Sequence, residues 1–222
     1  MEIKFKQAGI DSLLIEFGIA IDQDLHKIVI LNSEILKPYF LEVTVSYTTI
    51  LVKYGIDQTF EATVEKIKEM LVFNGEFNVN KGKIITIGAY YGEETGFDLK
   101  RVAYYHKTSV KNIIKIHSSK IYHVYALGFL PGFAYMAATD IYLPMKKNFI
   151  NVPKGSIGVA GVQTGIYPLE SLSGWNIIAR TYEKLFDENI DGFSLLKVGD
   201  RVKFEPVTKE EFINRGGQIE GD

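Results

Sequence analysis

The side chains able to do chemistry in this 222-residue chain crowd between Ala126 and Thr181. Phe129, Pro131, Gly132, Phe133 and Tyr135 share one short run; Lys154 follows Pro153; Gln163, Thr164 and Tyr167 flank Gly165; Trp175 and Arg180 close the stretch. Gln163, Thr164 and Tyr167 offer an amide, a hydroxyl and a phenol that can orient a small amide or carboxylate, or instead satisfy buried loop backbone. Lys154 can meet an anion or stay solvated in its turn, and Arg180 needs a carboxylate or phosphate if it points inward. His117, at an expected helix end, has two readings: proton exchange near neutral pH, or a cation stabilised by the helix dipole. Phe129, Phe133, Tyr135 and Trp175 line a ligand pocket or form an exposed patch that docks a second protein. Both hold if the site is completed where two polypeptides meet.

Several classes of chemistry lack their residues. The chain has no Cys, so it has no disulfide, thiolate ligand or cysteine nucleophile. His26, His106, His117 and His123 form no His-x-x-x-His pair, and no metal site is expected. Gly155, Gly158 and Gly161 recur every third residue without the dinucleotide spacing, and neither a phosphate loop nor a Gly-x-Ser-x-Gly elbow occurs. With 25 basic and 27 acidic residues and no basic stripe visible, nucleic acid is not an expected partner. The opening Met-Glu-Ile-Lys-Phe-Lys alternates charged and apolar residues, so no signal peptide is expected, and no run approaches the roughly 18 apolar residues of a membrane span. The expected compartment is the cytoplasm.

Positioning the polar groups requires a scaffold that apolar periodicity outlines. Ile3–Lys6 and Leu13–Phe17 predict two strands around a turn at Gly9-Ile10-Asp11-Ser12. Asp22 caps an expected helix carrying Leu25, Ile28, Val29, Asn32, Ile35 and Leu36, which Pro38 ends. Strands over Val43–Val45 and Thr49–Val52 precede a second helix with Phe60, Val64, Ile67 and Leu71, capped by Asp57 or Thr59 and closed at Gly75. That order predicts an α+β class: a two-layer α/β sandwich over residues 1–82, with both helices on one face of an antiparallel sheet and no chemistry of its own. The polar stretch Asn80-Lys81-Gly82-Lys83 marks the boundary. Residues 83–222 open on a strand at Ile84–Ile87, after which Asp98 is expected to cap a helix through His106, and Ser109 one that carries Val110, Ile113, Ile114 and His117. Short β segments at 121–125, 176–180 and 198–204, with Gly/Pro corners between them, predict a closed or nearly closed barrel. Gln163–Pro168, between glycines and ending in Pro, is expected among the loops. Thr208-x-x-Glu211 has the form of a capping box for a last helix to Arg215, before a Gly-rich tail.

Three long signatures carry a family resemblance: GFLPGFAYM at 128–136, VPKGSIGVAGVQTGIYPLESLSGW at 152–175, and NIIART at 176–181. They resemble the B-subunit family of bacterial 5-oxoprolinase, which also holds a sporulation-kinase inhibitor and allophanate hydrolase subunit 1-like (urea carboxylase-related) proteins. Gly9–Leu14, Ser46–Val52 and Tyr91-Gly92 with Gly96 and Asp98-Leu99 extend the likeness over most of the chain, and the family also carries a His matching His117. The resemblance implies a cyclophilin-like β-barrel after the first domain. It also implies a polypeptide that, in a hetero-oligomer with A- and C-type homologues, opens 5-oxoproline to glutamate using ATP and is inactive alone. His117 and Gln163 are then the catalytic candidates, with Phe129, Pro131, Gly132, Phe133, Tyr135, Lys154, Thr164, Tyr167, Trp175 and Arg180 binding substrate or partner. No cofactor is bound by a recognisable motif in this chain; ATP is used by the assembled complex. The alternative within the resemblance is an inhibitor of sensor histidine kinase autophosphorylation, and a third reading is a component of a urea carboxylase or allophanate-type system. The chain departs from the family before Val152, where an arginine- and proline-rich stretch is usual and Pro144-Met145-Lys146-Lys147-Asn148-Phe149-Ile150-Asn151 stands instead. Lys146 and Lys147 can supply charge there, but not the bidentate fork of arginine.

Overall fold

Leu13 and Ile15, two apart on one strand, face Val52 and Ile50 on the next, and all four are fully buried. This period of two builds the first of two units, Met1–Gly82, in a computed structural model that describes residues 2–73, 83–190 and 192–219. Strands β1 (Lys4–Gln7), β2 (Ser12–Glu16), β3 (Glu42–Ser46) and β4 (Thr49–Lys53) form an antiparallel sheet in the order β1-β2-β4-β3. Helix α1 (Gln23–Leu36) starts at Asp22, whose carboxylate accepts from Asp24 N and Leu25 N, and runs into a 3-10 turn at Lys37–Tyr39. Helix α2 (Phe60–Met70) is capped by Thr59, not Asp57. Val29 and Leu36 of α1 and Val64 and Ile67 of α2 close over the strand side chains as the core. The expected helix stop at Gly75 and most of the boundary segment, Asn80-Lys81-Gly82, lie outside the described residues.

The second unit, Lys83–Asp222, is a sheet wound on itself. It comprises β5 (Ile84–Ala89), helices α3 (Leu99–Tyr105) and α4 (Val110–Ser119), β6 (Ile121–Leu127), β7 (Ala134–Ala137), β8 (Ile150–Val152), β9 (Ser156–Ala160), β10 (Gln163–Ile166), β11 (Ser171–Ser173), β12 (Asn176–Arg180), β13 (Arg201–Pro206) and α5 (Lys209–Asn214). Seven strands run in the order β12-β9-β10-β7-β6-β13-β5, while β8 and β11 pair as a separate two-stranded arm. The two outer strands meet where Tyr90 and Arg180 exchange backbone hydrogen bonds of 2.8 and 3.0 Å, which closes the barrel. Ile87, Tyr122, Val124, Met136, Ile157, Val159, Ile166, Ile178, Val202 and Phe204 fill its interior, and Leu99, Val102, Ala103 and Ile113 bring α3 and α4 onto the same core.

Two local expectations need correction. Gln163–Ile166 is strand β10, paired on both sides, because its alternation of Gln, Thr, Gly and Ile suits a strand with one face on the core. Asp98 precedes α3 without capping it: its backbone is already helical, and its carboxylate is held by Lys146 and Ile177 N. Ser109 and Thr208 do cap, accepting from Asn112 N and Glu211 N. The tail beyond Ile219 lies outside the described residues.

Candidate functional site

Strand alternation separates the two catalytic candidates. Thr164 points into the barrel and its neighbour Gln163 points out. Inside, His117 Nε2 lies 2.9 Å from Thr164 Oγ1, whose hydroxyl donates to Gly158 O at 3.0 Å. With that single hydroxyl proton committed, Oγ1 accepts from Nε2–H, leaving Nδ1 to accept from the Tyr91 hydroxyl at 2.7 Å. The ring stacks on Phe204 at 4.5 Å and is fully buried. Burial pushes its pKa down to about 3, so His117 is a neutral core histidine and not a helix-end cation. Burial likewise holds the Tyr91 phenol well above its ordinary value.

On the outer face of β7, β10, β9 and β12, Gly165 stands opposite Gly158 in register. A side chain at Gly165 would meet the Phe133 ring at 2.8 Å, and one at Gly158 would meet Trp175 Cβ at 3.1 Å. The glycine pair is therefore a floor on which Phe133 and Trp175 rest. Phe133 sits edge-on to Tyr135, Tyr167 and Trp175 at 4.7, 4.9 and 5.6 Å. Phe129, held at φ +71° and 62% exposed, leans onto Phe133 and Tyr167. Tyr167 Oη bonds Ser173 Oγ at 2.8 Å, and Ser173 Oγ accepts from Trp175 N at 2.9 Å. Together with Gln163, Met145, Phe149 and Leu172 these residues enclose a groove of about 670 Å³. Among the described residues the Tyr135 hydroxyl has no hydrogen-bond partner, and burial raises its pKa, so it enters the groove as a spare proton donor. No described residue lining the groove carries a formal charge.

The other candidates fall elsewhere. Pro131 and Gly132 line a neighbouring cleft that shares Phe129 with the groove and adds Phe186, Glu188, Phe193 and Ser194. Lys154 and Arg180 line a third concavity with Lys184 and Asp187. Arg180 is 6% exposed and donates from Nε to Lys154 O and from Nη1 to Gln218 O, both at 2.9 Å. Lys146 does not offer its charge to a ligand. Its ammonium is 2.6 Å from Asp98 Oδ2, with the two side chains only 14% and 13% exposed, and its backbone N–H donates to Gly174 O at 2.7 Å. That latch ties the 144–149 segment to the start of β12 and sets Met145 and Phe149 as the groove's outer wall. Met145, Phe149, Leu172 and the latch were not among the sequence candidates. An aromatic residue, Phe149, between Pro144 and Pro153 was the one signal the sequence offered. Among the described residues no group of three His, Asp or Glu side chains is arranged to hold a metal, and no helix is long and apolar enough to cross a membrane.

Residues 3–196 match the family described as carboxyltransferase domain, subdomain C and D. The chain is 32% identical to the 5-oxoprolinase B subunit of Bacillus subtilis (strain 168), over 94% of this chain and 95% of that one. It is 38% identical to the 5-oxoprolinase B subunit of Haemophilus influenzae, over 70% and 73% of the two chains. The crystal structure of Kluyveromyces lactis urea carboxylase superposes with a TM-score of 0.80 over 96% of this chain and 22% of that one; at 18% identity this is a likeness of fold. The two signatures richest in Gly and Pro form the floor and walls of the groove, and with the match over nearly the whole length the chain belongs to the 5-oxoprolinase B-subunit family, with the subdomain C and D architecture of the carboxyltransferase domain.

Proposed function

We propose that this chain is a non-autonomous B subunit of an ATP-dependent 5-oxoprolinase, and that the aromatic groove takes the lactam at an interface with its partner. The observation that carries this reading is the groove's composition. Its rings fit a small apolar ring face, and the Tyr135 hydroxyl and the Gln163 amide lie where a lactam amide could be oriented. A lactam carboxylate would find no cation there, so a second polypeptide must bring the charge. Exposed Phe129, Phe149 and Leu172 form an apolar rim suited to that polypeptide. In the reaction, phosphoryl transfer from ATP to the lactam oxygen releases ADP and makes the ring carbon electrophilic; water adds to that carbon, the C–N bond breaks as the ring nitrogen takes a proton, and a second water splits the resulting acyl phosphate into glutamate and inorganic phosphate. The assembled polypeptides hold the lactam in place and stabilise the negative charge that develops.

The test is reconstitution with the A- and C-type homologues, ATP and 5-oxoproline. Glutamate should form only with all three polypeptides present, and a verified assembly that releases none would sink the assignment. The same exposed rim favours one other reading, docking onto a sensor histidine kinase. In that case the chain alone blocks autophosphorylation and no glutamate appears. A biotin-dependent partner would move the chain to the urea carboxylase-type system instead.

A further inference from the structure

From Leu99 to Lys120 the chain carries Lys100, Arg101, Lys107, Lys111, Lys115 and Lys120 and no acidic residue, while the other 200 residues carry 19 basic and 27 acidic groups. Folding turns this stretch into the α3–α4 hairpin, whose buried sides share one core and whose other sides face solvent. Lys100 pairs with Glu93 and Lys120 with Asp140, and Arg101 donates to Asn176. Lys107, Lys111 and Lys115 are exposed and have no ionic partner among the described residues. Lys111 and Lys115 lie one turn apart on one face, and Lys107 stands in the preceding turn at φ +50°. Tyr104 and Tyr105 beside them are 86% and 51% exposed.

This arrangement opposes helix stability. Helices α1, α2 and α5 each carry an acid in the first turn, which the helix dipole favours; α3 and α4 carry none and place Lys100, Arg101 and Lys111 there. Like charges at Lys111 and Lys115 add a repulsion. The dipole rule, broken on both helices of this one surface and kept on α1, α2 and α5, marks a surface shaped by something other than folding.

We propose that the outer face of the α3–α4 hairpin is a docking surface for an acidic segment of a partner polypeptide. Carboxylates spaced by one helical turn match Lys111 and Lys115, and the two tyrosines supply amphipathic contact area of the kind protein interfaces use. The acid excess on the rest of the chain repels a long polyanion but not a patch the size of the hairpin. The surface is separate from the groove and stands whether or not the groove takes a lactam.

The test titrates the full chain into a fluorescein-labelled helical peptide with Glu at every fourth position, read by fluorescence anisotropy, with a twelve-nucleotide oligo-dT and phosphatidylserine vesicles as competing probes. The peptide should bind, weaken with added salt, and lose about tenfold or more in affinity in the Lys111→Glu/Lys115→Glu double variant. The matched charge change Lys4→Glu/Lys203→Glu should leave it bound. Because the hairpin swap puts an acid in the first turn of α4, its melting temperature should stay level or rise, so lost binding is not lost fold. Equal binding by both variants, or no binding at all, overturns the proposal. Tighter binding to the oligonucleotide or the vesicles overturns it in favour of those partners, and hairpin-dependent dimers in sedimentation overturn it in favour of a second copy.

Discussion

His117 titrates against the fold. Above pH 6.5 it is neutral in both the folded and the unfolded chain and adds no pH dependence. Between about pH 3 and 6.5 the unfolded chain binds a proton that the folded chain refuses. Stability therefore falls on acidification through that window, by up to ~1.4 kcal/mol per pH unit from this residue. Chemical denaturation at pH 7 and pH 5 should show a shallower loss for His117→Gln than for the parent, and equal slopes would mean that His117 is not held neutral by burial. Adjacent positions on β10 give a sharper contrast. Thr164→Val leaves His117 Nε2 and Gly158 O without their partner and should lose about 1–3 kcal/mol, whereas Gln163→Ala, on the outward face, should leave the melting temperature nearly unchanged. His117 and Thr164 could be named as polar candidates from the sequence, but not as a pair. They stand 47 positions apart, Tyr91 lies 26 positions from His117, and an expected loop at Gln163–Pro168 concealed which way each side chain points.

At the scale of elements, caps at Asp22, Thr59, Ser109 and Thr208 were legible because the cap and the helix it serves are contiguous. Asp98 has the same residue type in the same place and does something else. Its carboxylate joins α3 to Ile177 and Lys146, 79 and 48 positions away, a demand that no local pattern records. The strap this latch holds is one wall of the groove, and the only Trp of the chain stands across from it. Lys146→Met should therefore raise acrylamide quenching of Trp175 fluorescence and lose about 1–3 kcal/mol of stability. Lys146→Arg should restore both, since it keeps the charge. Quenching unchanged in Lys146→Met would show that the wall stays in place without the ion pair.

For the whole molecule, the groove's exposed rim predicts a division of labour that can be separated from folding. Phe149→Asp and Leu172→Asp, at side chains 60% and 61% exposed, should leave the circular dichroism and melting point of the isolated chain unchanged and prevent co-elution with the A- and C-type homologues. Retained co-elution would remove the groove from the interface. The α+β class and the barrel were legible from strand texture, whereas the spread of the motif residues over an interior network, a groove and two further concavities was not, because it depends on which strands become neighbours. Barrel closure also has a consequence for biosynthesis. β13 stands between β5 and β6 and pairs Arg201 with Ile84, 117 residues earlier. At ribosomal speeds the first of these strands waits roughly 6–23 s for the last. During that interval the nascent sheet is open on both sides of the gap, with unpaired edges offered to any neighbouring chain. Slowing translation lengthens this exposure, so the yield of folded protein should depend on elongation rate and on chaperones that cover strand edges.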